Sequence, residues 1–205
     1  MTITISRLYD RYADAERAVT ALETAGIPHS DISIVANNSD DWYNSSKKDR
    51  DNDGVDDRAE SAGKGAGIGA GLGGAAGLLA GLGLLAIPGL GPVVAAGWLA
   101  STAVGAAAGA ATGGIIGALT EAGVSEEDAH TYAEGVRRGG TLVTARVPDS
   151  DRARLDAILD QSSVDIRNRR ATWEKSGWQR FDPQSKPYGL EEVRRERELY
   201  SSGLR

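Results

Sequence analysis

The chain has 205 residues, enough for one ordinary domain with additions. Its 23 Lys and Arg against 29 Asp and Glu give a net charge of −6, which argues against a protein built to grip nucleic acid, and the lack of Cys excludes disulfides, thiolate metal sites and thiol catalysis. Only His29 and His130 could serve a His-based site, and the unusual count is 27 Gly against one Phe and one Met.

The opening MTITISRLYDRY has neither a basic head nor an apolar core, so no secretory leader is expected and the chain is expected to start in the cytoplasm. Residues 2–9 alternate and are rich in Ile and Thr, the pattern of a strand. Ala15, Ala18, Val19 and Leu22 predict a helix over 12–25 that stops at Gly26. DISIVA, residues 31–36, predicts a second strand and closes a first βαβ half over 1–38.

Residues 39–64 read as an acidic linker. Within it Asp49, Asp51 and Asp53, then Gly54 and five residues later Glu60, match the spacing D-x-D-x-D-G-x₅-E of a calcium loop. Alternate carboxylates on a tight turn, the Val55 carbonyl and a bidentate Glu60 would supply the oxygens Ca²⁺ requires. Asp56 stands where such loops carry an aliphatic residue, and NSSKK is a poor entering helix. The other reading is a solvated linker whose Asp56, Asp57 and Glu60 complement the start of a following helix.

Residues 65–120 contain no charge and no His, and hold 17 of the 27 glycines. Gly65, Gly69, Gly73, Gly77 and Gly81 recur at every fourth position, and so do Gly97, Ser101, Gly105, Gly109, Gly113 and Gly117. Pro88 and Pro92 separate the two runs. The pattern predicts a glycine-zipper helical hairpin, in which bare strips let backbones approach closely. Residues 65–85 include nine Gly, which would cost a helix about 9 kcal/mol of propensity relative to Ala. Such helices need lipid or dense packing around them. Both runs are long enough to span a bilayer, with both ends returning to Lys64, Arg58, Arg137 and Arg138 on one side. A hairpin buried in a soluble assembly and a disordered tract are the other readings.

After the window Ser125 is an N-cap, with Glu126, Glu127 and Asp128 in the first turn of a helix that ends at Gly139-Gly140. TLVTARV predicts a strand over 141–147, Ser150 caps a helix carrying Leu155, Ile158 and Leu159, and VDIRNR predicts a last strand over 164–169. The unit RLYDRYADAERAVTALETAG–DISI and the unit ARVPDSDRARLDAILDQ–VDIR resemble each other. The expected fold class is α+β: a ferredoxin-like split βαβ domain made of 1–38 and 121–170, interrupted by the hairpin of 65–120.

Ala15 and Ala18 before Leu22-x-x-x-Gly26, the start at Asp31-Ile32, Gly123-x-Ser125-x-x-x-Ala129-x-x-Tyr132 and Gly140-x-Leu142-Val143 together resemble the YflT-like, heat-induced general stress protein family. The resemblance covers about a third of the chain. It implies a small α/β stress-response domain with no catalytic residues to carry over. The glycine-rich insertion and the tail depart from the short members of that family.

The tail, 171–205, holds Trp173, Trp178, Phe181, Tyr188 and Tyr200, five of the eleven aromatics, and EEVRRERELY predicts a short charged helix. These aromatics either dock on the domain or a neighbouring subunit, or anchor at a lipid headgroup zone. No P-loop and no G-x-S-x-G occurs, and the Gly65–Gly71 repeat has no apolar strand before it, so no cofactor or small-molecule substrate is expected. The sequence reads as a non-enzymatic stress-type protein that self-associates through the zipper, its hairpin in the cytoplasmic membrane and its domain facing the cytoplasm. The alternatives are a soluble cytoplasmic homo-oligomeric scaffold and a calcium- or ligand-sensing regulatory domain.

Overall fold

In a computed structural model of the chain, residues 1–39, 43, 83–87, 89–100 and 114–201 are described. The chain is an α+β protein with a five-stranded sheet. Strand β1 (Thr2–Tyr9) leads to helix α1 (Tyr12–Thr24), which buries the predicted Ala15, Ala18, Val19 and Leu22. Gly26, at φ +94°, stops it, and β2 (Ile32–Asn37) follows. Later come β3 (Gly83–Ile87), β4 (Gly91–Gly97), α2 (Gly114–Glu121), α3 (Glu126–Arg137), β5 (Thr141–Pro148) and α4 (Arg152–Leu159). Helices α5 (Ile166–Lys175) and α6 (Leu190–Ser201) form the C-terminal part.

The strand order is β1-β5-β2-β4-β3, and every neighbouring pair is antiparallel. Because β1 and β2 both flank β5, they run parallel to each other with α1 as their crossover, a split βαβ unit. Alternation along the strands fills two cores. Ile5, Tyr9, Ile32, Ile34, Val143 and Ala145 pack against α1 and against Leu155 and Leu159 of α4. Leu8, Val35, Val93 and Leu142 point the other way and meet Ile115 and Leu119 of α2 and Ala129, Tyr132, Ala133 and Val136 of α3. The sheet is thus covered on both faces.

Ser125 caps α3 as predicted, its Oγ accepting from the Asp128 N–H at 3.1 Å. The Ser150 cap is not formed. Residues 149–151 make a 3₁₀ turn instead, held where the Asp149 N–H donates to the Met1 carbonyl at 2.9 Å, and α4 starts at Arg152.

Two larger expectations are corrected. The last strand over 164–169 is replaced by α5, because the Asp165 carboxylate accepts from the Arg167 and Asn168 amides at 3.0 and 3.2 Å and starts a helix there. What remains of the strand pairing is the Val164 N–H donating to the Leu8 carbonyl at 2.7 Å.

The helical hairpin over 65–120 is contradicted at its centre. Residues 83–97 form a β-hairpin that adds to the free edge of β2, with Ser33 opposite Gly97 and Leu85 opposite Val93. Its turn closes where the Leu90 N–H donates to the Ile87 carbonyl at 3.0 Å, with Gly89 at φ +76°. Pro in second place and Gly in third, in Ile87-Pro88-Gly89-Leu90, is the residue order of a type II turn. A run with so many glycines gains little from a helix, whereas Val93 and Val94 suit a strand that lies between two neighbours. Helical backbone begins again at Trp98, immediately after Gly97.

Candidate functional site

The densest collection of functional side chains lies where the end of α3, the start of the chain and the C-terminal part meet. Helix α3 stops at Gly139-Gly140, as the sequence predicts. Gly139 takes φ +104°, and a Cβ there would run into the Val193 side chain of α6. A Cβ on Gly140 would lie 2.9 Å from the Gly135 carbonyl oxygen. Gly139 therefore lets the tail lie directly on the helix end, and Gly140 lets the end of β1 approach it.

On the last turn of α3, Glu134 is 1% exposed. Arg137 donates to both of its oxygens, Nε to Oε2 at 2.8 Å and Nη2 to Oε1 at 2.5 Å, and Arg138 Nε reaches Oε1 at 2.5 Å. A buried carboxylate needs such partners, since an unpaired one would be strongly destabilising. Arg138 then extends its Nη1 to Glu196 Oε1 of α6 at 3.0 Å. Burial by itself would lower the Arg138 pKa, but Glu134 and Glu196 outweigh it, and the group lies above the ordinary arginine value.

Trp173 of α5 is buried, and its Nε1 donates to Glu196 Oε1 at 3.0 Å and to the Tyr200 hydroxyl at 3.1 Å. Arg169, one turn earlier, is held bidentately by Asp10, Nη1 and Nη2 each 3.0 Å from a carboxylate oxygen, and its guanidinium lies 3.4 Å from the centre of the Tyr200 ring. Arg137 stacks on Tyr188 at 4.5 Å and Arg138 on Trp173 at 4.7 Å. Arg197 Nη2 donates to the Gly139 carbonyl at 2.8 Å. Burial raises the pKa of Tyr188 and Tyr200, with the nearby guanidiniums pulling the other way. The cleft between Asp10, Arg138, Arg169, Trp173, Glu196 and Tyr200 has a volume of about 10 Å³, room for one water molecule.

The tail aromatics dock on their own domain, one of the two sequence readings: Trp173 and Phe181 are 2% and 3% exposed. Their partners were not legible. The Arg-Arg-Gly-Gly of 137–140 and the i, i+4 pair Glu196 and Tyr200 were visible, but nothing local says that they meet.

The calcium-loop residues Asp49, Asp51, Asp53, Val55 and Glu60 lie outside the described residues, as do the zipper positions Gly65, Gly69, Gly73, Gly77, Gly81, Ser101, Gly105, Gly109 and Gly113. Two zipper positions are described. Gly117 is in α2, where its carbonyl accepts from the Thr120 hydroxyl at 3.0 Å. Gly97 is a strand residue at φ +86°, and its close approach is to β2. A Cβ there would overlap the Ile32 carbonyl and lie 2.8 Å from the Ser33 Cα. Ser33 completes that junction, its Oγ donating to the Ala96 carbonyl at 2.8 Å and accepting from the Leu99 amide at 3.2 Å.

His130 is 17% exposed, with Nε2 3.8 Å from Glu126. Among the described residues there is no group of three or more His, Asp or Glu placed to hold a metal ion, and no helix long and apolar enough to cross a membrane. Compared with protein-family models, curated proteins and solved structures, the chain gives no match.

Proposed function

We propose that the chain is a non-enzymatic protein that self-associates through its glycine-rich segments, forming a homo-oligomeric scaffold in which those segments pack together beneath α+β heads. The split βαβ core reads as ferredoxin-like, with α5 in place of the fourth strand. The sequence resemblance adds a stress-response setting. The observation that supports self-association is the register of the β3–β4 hairpin. Gly83 pairs with Ala95, so the chain enters β3 and leaves β4 at one end of the sheet. Gly83, just after the first small-residue run, is thereby a neighbour of Ala95, just before the second run begins at Gly97, a placement that suits paired packing strips.

The same hairpin favours an assembly over a membrane-spanning helical pair. A spanning hairpin would carry the 87–91 turn across the bilayer, whereas Leu90 is fully buried in the core that α2 and α3 share with the sheet. The uncharged run of residues 65–82, 18 long, supports bilayer insertion of that run as the second reading.

Replacing Gly73, Gly77, Gly105 and Gly109 by Leu tests the association, and a carbonate wash of the membrane fraction separates the readings. A large soluble particle that falls apart in the variant supports the scaffold. A wild-type chain retained in washed membranes supports the second reading, and a particle unchanged by all four substitutions contradicts both.

A further inference from the structure

Glu196 accepts from donors on two other helices, α3 and α5, that have contacts of their own. Its Oε1 accepts from Arg138 Nη1 and Trp173 Nε1, both at 3.0 Å. Arg138 is tied independently to Glu134, and Arg169, lining the same cleft, is tied to Asp10. Trp173 is seated edge-on against Trp178, ring centres 5.7 Å apart. Donors fixed in advance in this way bind an anion without a further ordering cost.

Charge points the same way. Arg137, Arg138, Arg169 and Arg197 face the carboxylates of Glu134, Asp10 and Glu196, an excess of one positive charge that becomes two when the Glu196 carboxylate is taken away. Helix α6 is held by Val193, its one fully buried side chain among the described residues, by the polar contacts of Glu196 and Arg197, and by the Tyr200 ring against Arg169, while Leu199 is 59% exposed. Between these side chains the cleft has room for about one water, roughly 10 Å³, while the helix is in place.

We propose that Arg138, Arg169 and the Trp173 indole form a binding site for a small oxyanion, a carboxylate or a phosphate, with Glu196 as its built-in competitor and α6 as the lid that lifts when the anion takes the place of that carboxylate. This site is independent of the glycine-rich segments and of self-association.

The test follows the Trp173 indole N–H resonance of the full chain while sodium acetate or sodium phosphate is added, against sodium chloride at equal ionic strength. In Glu196→Ala a saturable shift is expected with one or both oxyanions, and the arm that saturates first identifies the ligand chemistry. The wild type should reach the same shift only at about tenfold higher concentration, because its competitor is in place. Adding Arg138→Gln to Glu196→Ala should abolish the shift. Glu196→Gln, which keeps the side-chain size, gives the same readout if the alanine variant folds poorly. A response no different from chloride in the Glu196 variants overturns the site. Equal saturation in wild type and variants overturns the competition.

Discussion

Gly89, in the turn between β3 and β4, lies so close to Phe181 of the tail that a Cβ on the glycine would be 2.7 Å from the Phe181 Cζ. The same Cβ would be 2.7 Å from the Pro183 Cα. The inserted hairpin and the C-terminal segment are therefore one packing unit, and Phe181 joins the core shared by β4, α2 and α3.

Gly89→Ala should destabilise the protein by about 2–4 kcal/mol, since the φ of +76° strains any L side chain and the added methyl has no space. Phe181→Ala should cost about 3 kcal/mol or more as a buried aromatic removed from the core. The double variant should cost less than the sum, because both changes break one contact. Urea denaturation curves of the three variants check this, and strict additivity would contradict the shared contact.

Gly97 and Gly26 both take positive φ, but a Cβ on Gly26 meets nothing within 4 Å while one on Gly97 overlaps the backbone of β2. Gly26→Ala should then cost about 1 kcal/mol from backbone strain. Gly97→Ala should cost about 2 kcal/mol more, from steric overlap that the strand pair cannot relieve. Equal losses in thermal or chemical denaturation would remove the close approach of Gly97 to Ile32 and Ser33.

Glu134 is the buried anion on which Arg137 and Arg138 converge. Glu134→Ala should destabilise by about 3–5 kcal/mol, mostly because the partly buried Arg137 loses its carboxylate and Arg138 keeps only Glu196. Glu191, on the exposed face of α6, pairs with Arg194 at 3.5 Å. Its replacement by Ala should change stability by less than about 1 kcal/mol. Denaturation midpoints measured side by side test the contrast.

Tyr132 donates its hydroxyl to the Ser6 carbonyl at 2.7 Å, and burial pushes its pKa from about 10 up to about 12. Tyr9, fully buried and donating to the Leu159 carbonyl at 2.7 Å, is raised by burial as well. The unfolded chain loses these protons first, so the folded chain binds more protons once the pH passes the ordinary tyrosine value. The contribution of Tyr132 is complete below about pH 10 and is lost as the pH rises through about 12. Tyr132→Phe should cost about 1 kcal/mol at neutral pH and make the alkaline fall in stability shallower. An unchanged alkaline slope in a denaturation series would contradict this.

The elements that could be read from sequence were those with a polar face. Ala15, Ala18, Val19 and Leu22 stand out against charged neighbours, and Ser125 before Glu126, Glu127 and Asp128 marks a helix start by its capping chemistry. In residues 65–120 that contrast is absent. A small residue at every fourth position lies on one strip of a helix, but it also lies on one face of a strand, whose period of two divides four. Gly97 fits both patterns, and only its pairing with Ser33 decides between them. The 164–169 segment was misread for the opposite reason. Val164 and Ile166 alternate like a strand, while the Asp165 between them is an N-cap whose effect is seen two and three residues later. The charge cluster at Glu134 joins Asp10, Arg138, Arg169 and Glu196 across most of the chain, and no local pattern encodes such pairing.

Self-association through the glycine-rich segments is read out by the mass of the native 205-residue chain in detergent-free buffer. Light scattering on a sized sample should give a defined multiple of the single-chain mass, reduced to one chain when Gly73, Gly77, Gly105 and Gly109 are replaced by Leu. A wild-type chain that runs as a monomer across the accessible concentration range would rule out association through these segments.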